Sequence, residues 1–320
     1  MSANVRVGTC SWADETLTKV WYPRHVRSGE ARLRHYAERF DTVEANSTYY
    51  RLPDAELVAN WAERTPDGFT MHVKAFGLMT RHPVKLESLP EDLRDVMPVD
   101  ERGRVDRPPR ELRTEVFRRF HRALEPLRER GKLGGILLQF PSYVVHKPAS
   151  LDYIAWAVGQ LDGDEPLVEF RHRTWLDEEN RDRTLAFLES IGATYVIVDA
   201  PKTDANNLVP TVIGKTSNTA YVRFHGRNAS TWNKRTGSAA DRFDYLYSEE
   251  ELAEWVAALR ELAAESDSVY AMFNNNGRSA MPATGLEGLE PEEVAGDPAK
   301  GEIAQAPANA LMLQRLLSEA

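Results

Sequence analysis

A chain of 320 residues, 42% hydrophobic and 28% charged, has the composition of a globular protein with room for one large or two ordinary domains. A net charge of −9 argues against a nonspecific nucleic-acid binder, which needs a basic face, and the lone Cys10 excludes an internal disulfide or a multi-thiolate metal centre. No run of about 18 apolar residues occurs, so no membrane span is expected; the strand-like start leaves no room for a leader, and the expected location is the cytoplasm.

The first segment rich in β-branched and aromatic residues is VRVGTCSW (5–12), followed by a helical pattern over 30–40. TVEANSTY (42–49) predicts a second strand, and Asp54 opens a helix over 54–65. FTMHVKAF (69–76) is the third strand, followed by an insertion over 77–112 rich in proline and charge. Apolar spacing predicts a helix over 113–131 closed by Gly131, then the strand GGILLQFP (134–141) and a helix over 150–161. PLVEFRH (166–172), a helix over 180–192 ending at Gly192, and ATYVIVDA (193–200) follow. Residues 201–219 show turns and no helix. AYVRFHGR (220–227) is the seventh strand; Ser248 and Glu251 form a capping box on a helix over 248–265; VYAMFNNN (269–276) is the eighth. A second insertion spans 277–306, and a last helix 309–317.

Eight strands alternating with seven helices predict an α/β fold, a single (β/α)8 TIM-type barrel over 1–320 with the helix between strands six and seven missing or irregular. An open doubly wound sheet is the competitor, but no G-x-G-x-x-G or Walker loop follows the first strand. Both insertions follow a strand and precede a helix, which puts them on the face where barrels hold their chemistry. They read equally well as lids and as plain surface loops.

Polar residues collect at the strand ends that share one mouth. Side chains two apart share a face, so Glu44 goes with Asn46, Glu169 with Arg171, and Arg223 with His225. The catalytic expectation is Glu169 as general acid or base, with Glu44 or Asp199 as carboxylate partner. Trp12, Asn46, Tyr49, Lys74, Gln139, Arg171, His172, Trp175, Arg223, His225, Asn274 and Asn276 are the expected substrate-binding residues. Arg171, Arg223, Arg227 and Lys74 suit a phosphate or carboxylate, and Trp12, Tyr49, Trp175 and Trp232 suit a stacking wall. The same charges have a structural reading, in which three acids and three bases neutralise one another in a buried layer. Glu44, Glu169, Asp199 and His225 would suit Mg²⁺ or Mn²⁺, yet the nearby arginines oppose a cation and no H-x-H or H-E-x-x-H spacing occurs. No cofactor is expected, a divalent metal being the lesser alternative. A Schiff-base role for Lys74 needs a desolvated amine, which spacing does not reveal.

The blocks GTCSW (8–12), WYP (21–23), VEANSTYYRLP (43–53), RTPDGFTMHVKA (64–75) with Trp61 before it, GGILLQFP (134–141), VEFRHRTW (168–175) and YVRFHGR (221–227) resemble the YecE-like family, domain of unknown function seventy-two. The resemblance spans residues 5–276 and implies a TIM-type barrel without bringing a reaction. Cys10 stands where the first block should have serine, and TRHP (80–83) replaces a compact TH segment after strand three, so His82 is not carried over. The expected function is an enzyme acting on a small polar or anionic metabolite, such as a sugar, sugar phosphate or carboxylate. Its alternatives are a noncatalytic barrel that binds a metabolite or nucleic-acid end, and a metal-dependent phosphoester hydrolase. The expected partner is a small-molecule ligand, with neither a membrane nor nonspecific nucleic acid; the oligomeric state is not legible.

Overall fold

Barrel strands pack outward on helices and inward on one another, so both faces of each are apolar except where a site interrupts them. In the computed structural model, which describes residues 3–232, 243–281, 289–294 and 301–319, eight such strands close into a parallel barrel. They are β1 (Val5–Thr9), β2 (Thr42–Ala45), β3 (Thr70–Lys74), β4 (Leu133–Gln139), β5 (Pro166–Glu169), β6 (Thr194–Asp199), β7 (Thr219–Phe224) and β8 (Ser268–Phe273). Each lies beside its neighbour in sequence, and β8 returns to β1. The fold is the predicted TIM-type barrel.

Among the described residues the helices of nine residues or more are α1 (Gly29–Ala37), α2 (Ala55–Arg64), α3 (Arg110–Ala123), α4 (Pro148–Val158), α5 (Arg181–Ser190), α6 (Glu249–Glu265) and α7 (Gln305–Glu319). The Asp54 carboxylate accepts from Leu57 N, and Ser248 and Glu251 close the predicted capping box. The helix predicted over 113–131 ends at Ala123 and resumes as a short helix, Glu125–Glu129. Pro126 causes the break, because it lacks an N–H and its ring crowds the preceding turn. Between β6 and β7 the chain runs without a helix, as expected.

The first insertion packs against the barrel. Val84–Lys85 pairs antiparallel with Arg104–Val105, and Leu78, Met79, Leu89, Leu93 and Val105 are buried. In the second insertion Arg278–Ala280 pairs with Glu302–Ala304, while 282–288 and 295–300 lie outside the described residues. Among the described residues no helix is long and apolar enough to cross a membrane.

Register decides which side chains enter the barrel. Glu44 lies beside His72, Tyr270 beside Tyr221, and Met272 beside Arg223, all on the inner face. The His72 ring is buried with its centroid 4.8 Å from that of Tyr221 and 4.3 Å from that of Tyr270, and among the described residues neither ring nitrogen has a hydrogen-bond partner. Burial, helped by Arg6, therefore lowers its pKa to about 3 and keeps it neutral. On β1, a Cβ at Gly8 would overlap the Thr42 carbonyl oxygen and lie 2.9 Å from Thr42 Cγ2.

Two stability tests follow from these contacts. Gly8→Ala is expected to destabilise the fold by roughly 1–3 kcal/mol in denaturant titration, whereas Gly29→Ala, with no atom within 4 Å, should leave stability unchanged or slightly raised. In the unfolded chain His72 takes a proton near its ordinary 6.5, but in the fold only near 3. Its contribution is therefore present above pH 6.5 and is lost as pH falls from 6.5 towards 3. His72→Phe should flatten that acid-side loss by on the order of a few kcal/mol. A denaturation midpoint that falls just as steeply with pH in the variant would rule this out.

Candidate functional site at the barrel mouth

The carboxyl ends of β2, β5 and β7 send Glu44, Glu169 and Arg223 inward at one level. Arg223 Nη2 lies 2.6 Å from Glu44 Oε1, and its Nη1 pairs with Glu169 Oε2. Tyr221 donates to Glu44 Oε2 at 3.0 Å, and Gln139 Oε1 stands 3.5 Å from Arg223 Nη1. Arg171 covers the other Glu169 oxygen through Nε and reaches His225 Nε2 at 2.9 Å. His225 in turn lies 3.3 Å from Glu169 and 3.0 Å from the Asn274 amide. Glu44, Glu169, Arg223 and His225 are fully buried.

This geometry sets their protonation. Burial alone would raise the Glu169 carboxyl, but the Arg171 and Arg223 guanidiniums overcome it and hold the group well below the usual carboxylate range. Burial, with Arg171 alongside, lowers His225 to about 3, so it is neutral.

Above this floor opens a cavity of about 820 Å³. Trp12, Asn46, Tyr49, Lys74, Gln139, Arg171, Asn274 and Asn276 line it, together with Trp232. Lys74 Nζ sits 4.8 Å from the Tyr49 ring centroid, and Arg171 Cζ 5.8 Å from that of Trp232. Burial and the nearby Arg223 lower the Lys74 amine to about 8, against the upward pull of Glu44 and Glu169.

Several expected residues lie elsewhere. Glu44, Glu169, Arg223 and His225 are beneath the cavity floor and do not line it. Asp199 points out of the barrel, in register with Phe224, and binds Arg227 Nη2 (2.7 Å), Tyr247 OH (2.8 Å) and Trp255 Nε1 (3.0 Å). Since β6 is buried on both faces, its composition does not show which way Asp199 turns. Trp175 is fully buried, stacked on Phe170 at 4.1 Å with its indole N–H on the Val144 carbonyl, and so is core. His172 caps the short Arg173–Trp175 turn instead of facing the cavity. The four residues expected to suit a metal thus do not converge: Asp199 faces away, and guanidiniums occupy both glutamates. Among the described residues no group of three or more His, Cys, Asp and Glu side chains is placed to hold a metal ion.

The cavity also holds residues that the sequence reading missed. His82, set aside because its segment departs from the family pattern, lines the wall with its ring edge-on to Tyr49 at 5.1 Å. Asp14, in the loop after β1, accepts from Leu17 N through Oδ1, while Oδ2 has no hydrogen-bond partner among the described residues. Burial raises its pKa to about 6. Reading only strand ends passed over this loop; the signal was an acid two residues beyond Trp12.

The sequence model described as Protein of unknown function DUF72 matches residues 6–290. The chain belongs to this family. The UPF0759 protein YunF of Bacillus subtilis (strain 168) is 30% identical over 291 residues, covering 89% of this chain and 94% of its own. The UPF0759 protein YecE of Escherichia coli (strain K12) is 28% identical over 229 residues, or 67% and 74% of the two chains. A solved DUF72 family protein from Thermotoga maritima matches with a TM-score of 0.71 at 29% identity, covering 98% of this chain and 99% of its own. Another from Enterococcus faecalis gives 0.73 at 23% identity over 98% and 96%, a likeness of fold.

Replacing Arg223 by Met would leave Glu44 and Glu169 buried without their shared cation. A loss of roughly 3–5 kcal/mol is expected in urea titration, with most of it recovered in the triple variant Glu44→Gln, Glu169→Gln, Arg223→Met. A single variant as stable as the parent would show that the floor charges do not depend on one another.

Proposed function

We propose that the mouth is the active site of an enzyme acting on a small anionic, hydroxylated metabolite, of the sugar phosphate or carboxylated sugar class. The observation that carries this reading is the charge of the floor. Among the described residues Arg223, Arg171 and Lys74 stand against Glu44 and Glu169 there, three cations to two carboxylates, while His225 is neutral. Of those cations, Arg171 and Lys74 reach the cavity. A guanidinium and an ammonium sharing one floor suit an anionic head group, and the amides of Asn46, Gln139 and Asn274 suit hydroxyls.

The expected acid–base role for Glu169 is replaced in this reading. A carboxylate held ionised by two guanidiniums below the floor has neither the proton affinity nor the reach for proton transfer. Lys74, at about 8, and Asp14, at about 6, titrate on either side of neutrality and both line the cavity. They are the proton-transfer pair of this proposal, while Glu44 and Glu169 position Arg223 and Arg171. The metal-dependent hydrolase alternative draws no support from the residues, because its carboxylates are already committed to arginines.

Calorimetry with a panel of aldose and ketose phosphates, each beside its neutral sugar, tests this reading. Phosphorylated members should bind more tightly than their neutral counterparts, and Lys74→Met should weaken them by about 10- to 100-fold, the value of a charge-assisted contact. Equal affinity for charged and neutral sugars, or undiminished binding by Lys74→Met, would overturn it.

A further inference from the structure

The surroundings of Lys74 differ from those of a lysine that serves only as a charge. Glu44 is taken by Arg223 and Tyr221, and Glu169 by Arg223 and Arg171. Among the described residues Nζ makes no hydrogen bond or ion pair; its neighbour is the face of Tyr49. Two guanidiniums share the floor and disfavour a third positive charge beside them. Burial above all, together with these guanidiniums, disfavours the ammonium against the upward pull of Glu44 and Glu169, and lowers its pKa to about 8. An amine that gives up its proton near pH 8, at the wall of a cavity of about 820 Å³ and next to an arginine able to hold an anion, has the setting of a nucleophile.

We infer that Lys74 forms an imine with an aldehyde or ketone group of the anionic ligand, an assignment that rests on the anion-site reading above. In the first step the Nζ lone pair attacks the carbonyl carbon, a C–N bond forms, and the carbonyl π pair moves to oxygen, which takes a proton. The resulting carbinolamine loses its hydroxyl as water and a proton from nitrogen, leaving C=N. One water is released, and nothing is oxidised or reduced. Asp14 lines the same cavity and can give the proton to the departing oxygen and take it back afterwards. Arg171 holds the anionic end, so the carbonyl is presented to the amine instead of being met by chance.

Pyridoxal 5′-phosphate, an anionic aldehyde, followed by borohydride tests the assignment, because hydride delivered to the imine carbon leaves a stable secondary amine that peptide mass spectrometry locates. At pH 7.5 Lys74 should be labelled on the order of ten- to a hundred-fold faster than a lysine of ordinary pKa would be, in keeping with its own lowered pKa of about 8. Inorganic phosphate should slow that labelling, and its rate should rise with a midpoint near pH 8. Labelling of Lys19, which lines the same cavity, or of surface lysines ahead of Lys74 would overturn the inference. Pyridoxine 5′-phosphate, which has an alcohol in place of the aldehyde, separates the two claims by calorimetry. Its binding without imine trapping by pyridoxal 5′-phosphate would sink the imine and leave the anion site standing; binding of neither compound would sink both. Lys74→Arg keeps the charge, so it should bind pyridoxine 5′-phosphate yet give no label at position 74; loss of binding together with label would reduce Lys74 to an anion anchor.

Discussion

One guanidinium shared by two glutamates organises the barrel interior. Arg223 enters from β7, Glu44 from β2 and Glu169 from β5, so the cluster ties together strands far apart in sequence and on different sides of the barrel. Taking three charges out of water is costly, and the cost is offset only when every lone pair and N–H finds a partner of good geometry. Tyr221, Gln139, Arg171 and His225 supply most of those partners, which explains why the polar residues come as a connected set. A cluster of this kind adds no great net stability over an apolar layer. Its value is specificity, since strand register, and with it the inner face of each strand, must be right for the charges to meet.

The same cluster divides the site into two levels with different chemistry. Groups beneath the floor are locked: Glu169 stays ionised, and His225 and His72 stay neutral. Groups above it are adjustable, because Lys74 and Asp14 have pKa values near neutrality and face the cavity. The lower level makes the upper one. Burial and the two positive neighbours outweigh the pull of both carboxylates on Lys74, so its proton is held less tightly than an ordinary lysine's.

Fold and site were legible to different depths for one physical reason. Strands, caps and the missing sixth helix are written in local composition: β-branched runs, Asp54, the Ser248–Glu251 pair, and a stretch of turns over 201–219. Alternation also placed Glu169 with Arg171 and Glu44 with Asn46 on the inner face. It failed for Asp199, because β6 is buried on both sides and only its register against β7 shows that Asp199 lies beside the outward Phe224. Trp175 failed differently. Its polar neighbours in VEFRHRTW suggested an exposed ring, whereas a tight turn capped by His172 folds it back onto Phe170. Register and turn direction are non-local, and no window of sequence contains them.

The first insertion shows how a departure from a family pattern can still serve the site. Proline and charge over 77–112 gave it the composition of a loose loop, yet its buried Leu78, Met79 and Val84 fasten it to the barrel. Gly77 lies against the Tyr49 ring, and the His82 imidazole meets the same ring edge-on. Tyr49 is also the aromatic face under Lys74. Burial, with Lys74 and Arg171 nearby, lowers His82 to about 3, so it adds no charge to compete with the amine. The insertion thus sets a neutral imidazole against the same ring that Lys74 faces. Buried against an aromatic ring and beside two cations, the amine has its proton affinity lowered by the fold itself, before any ligand arrives.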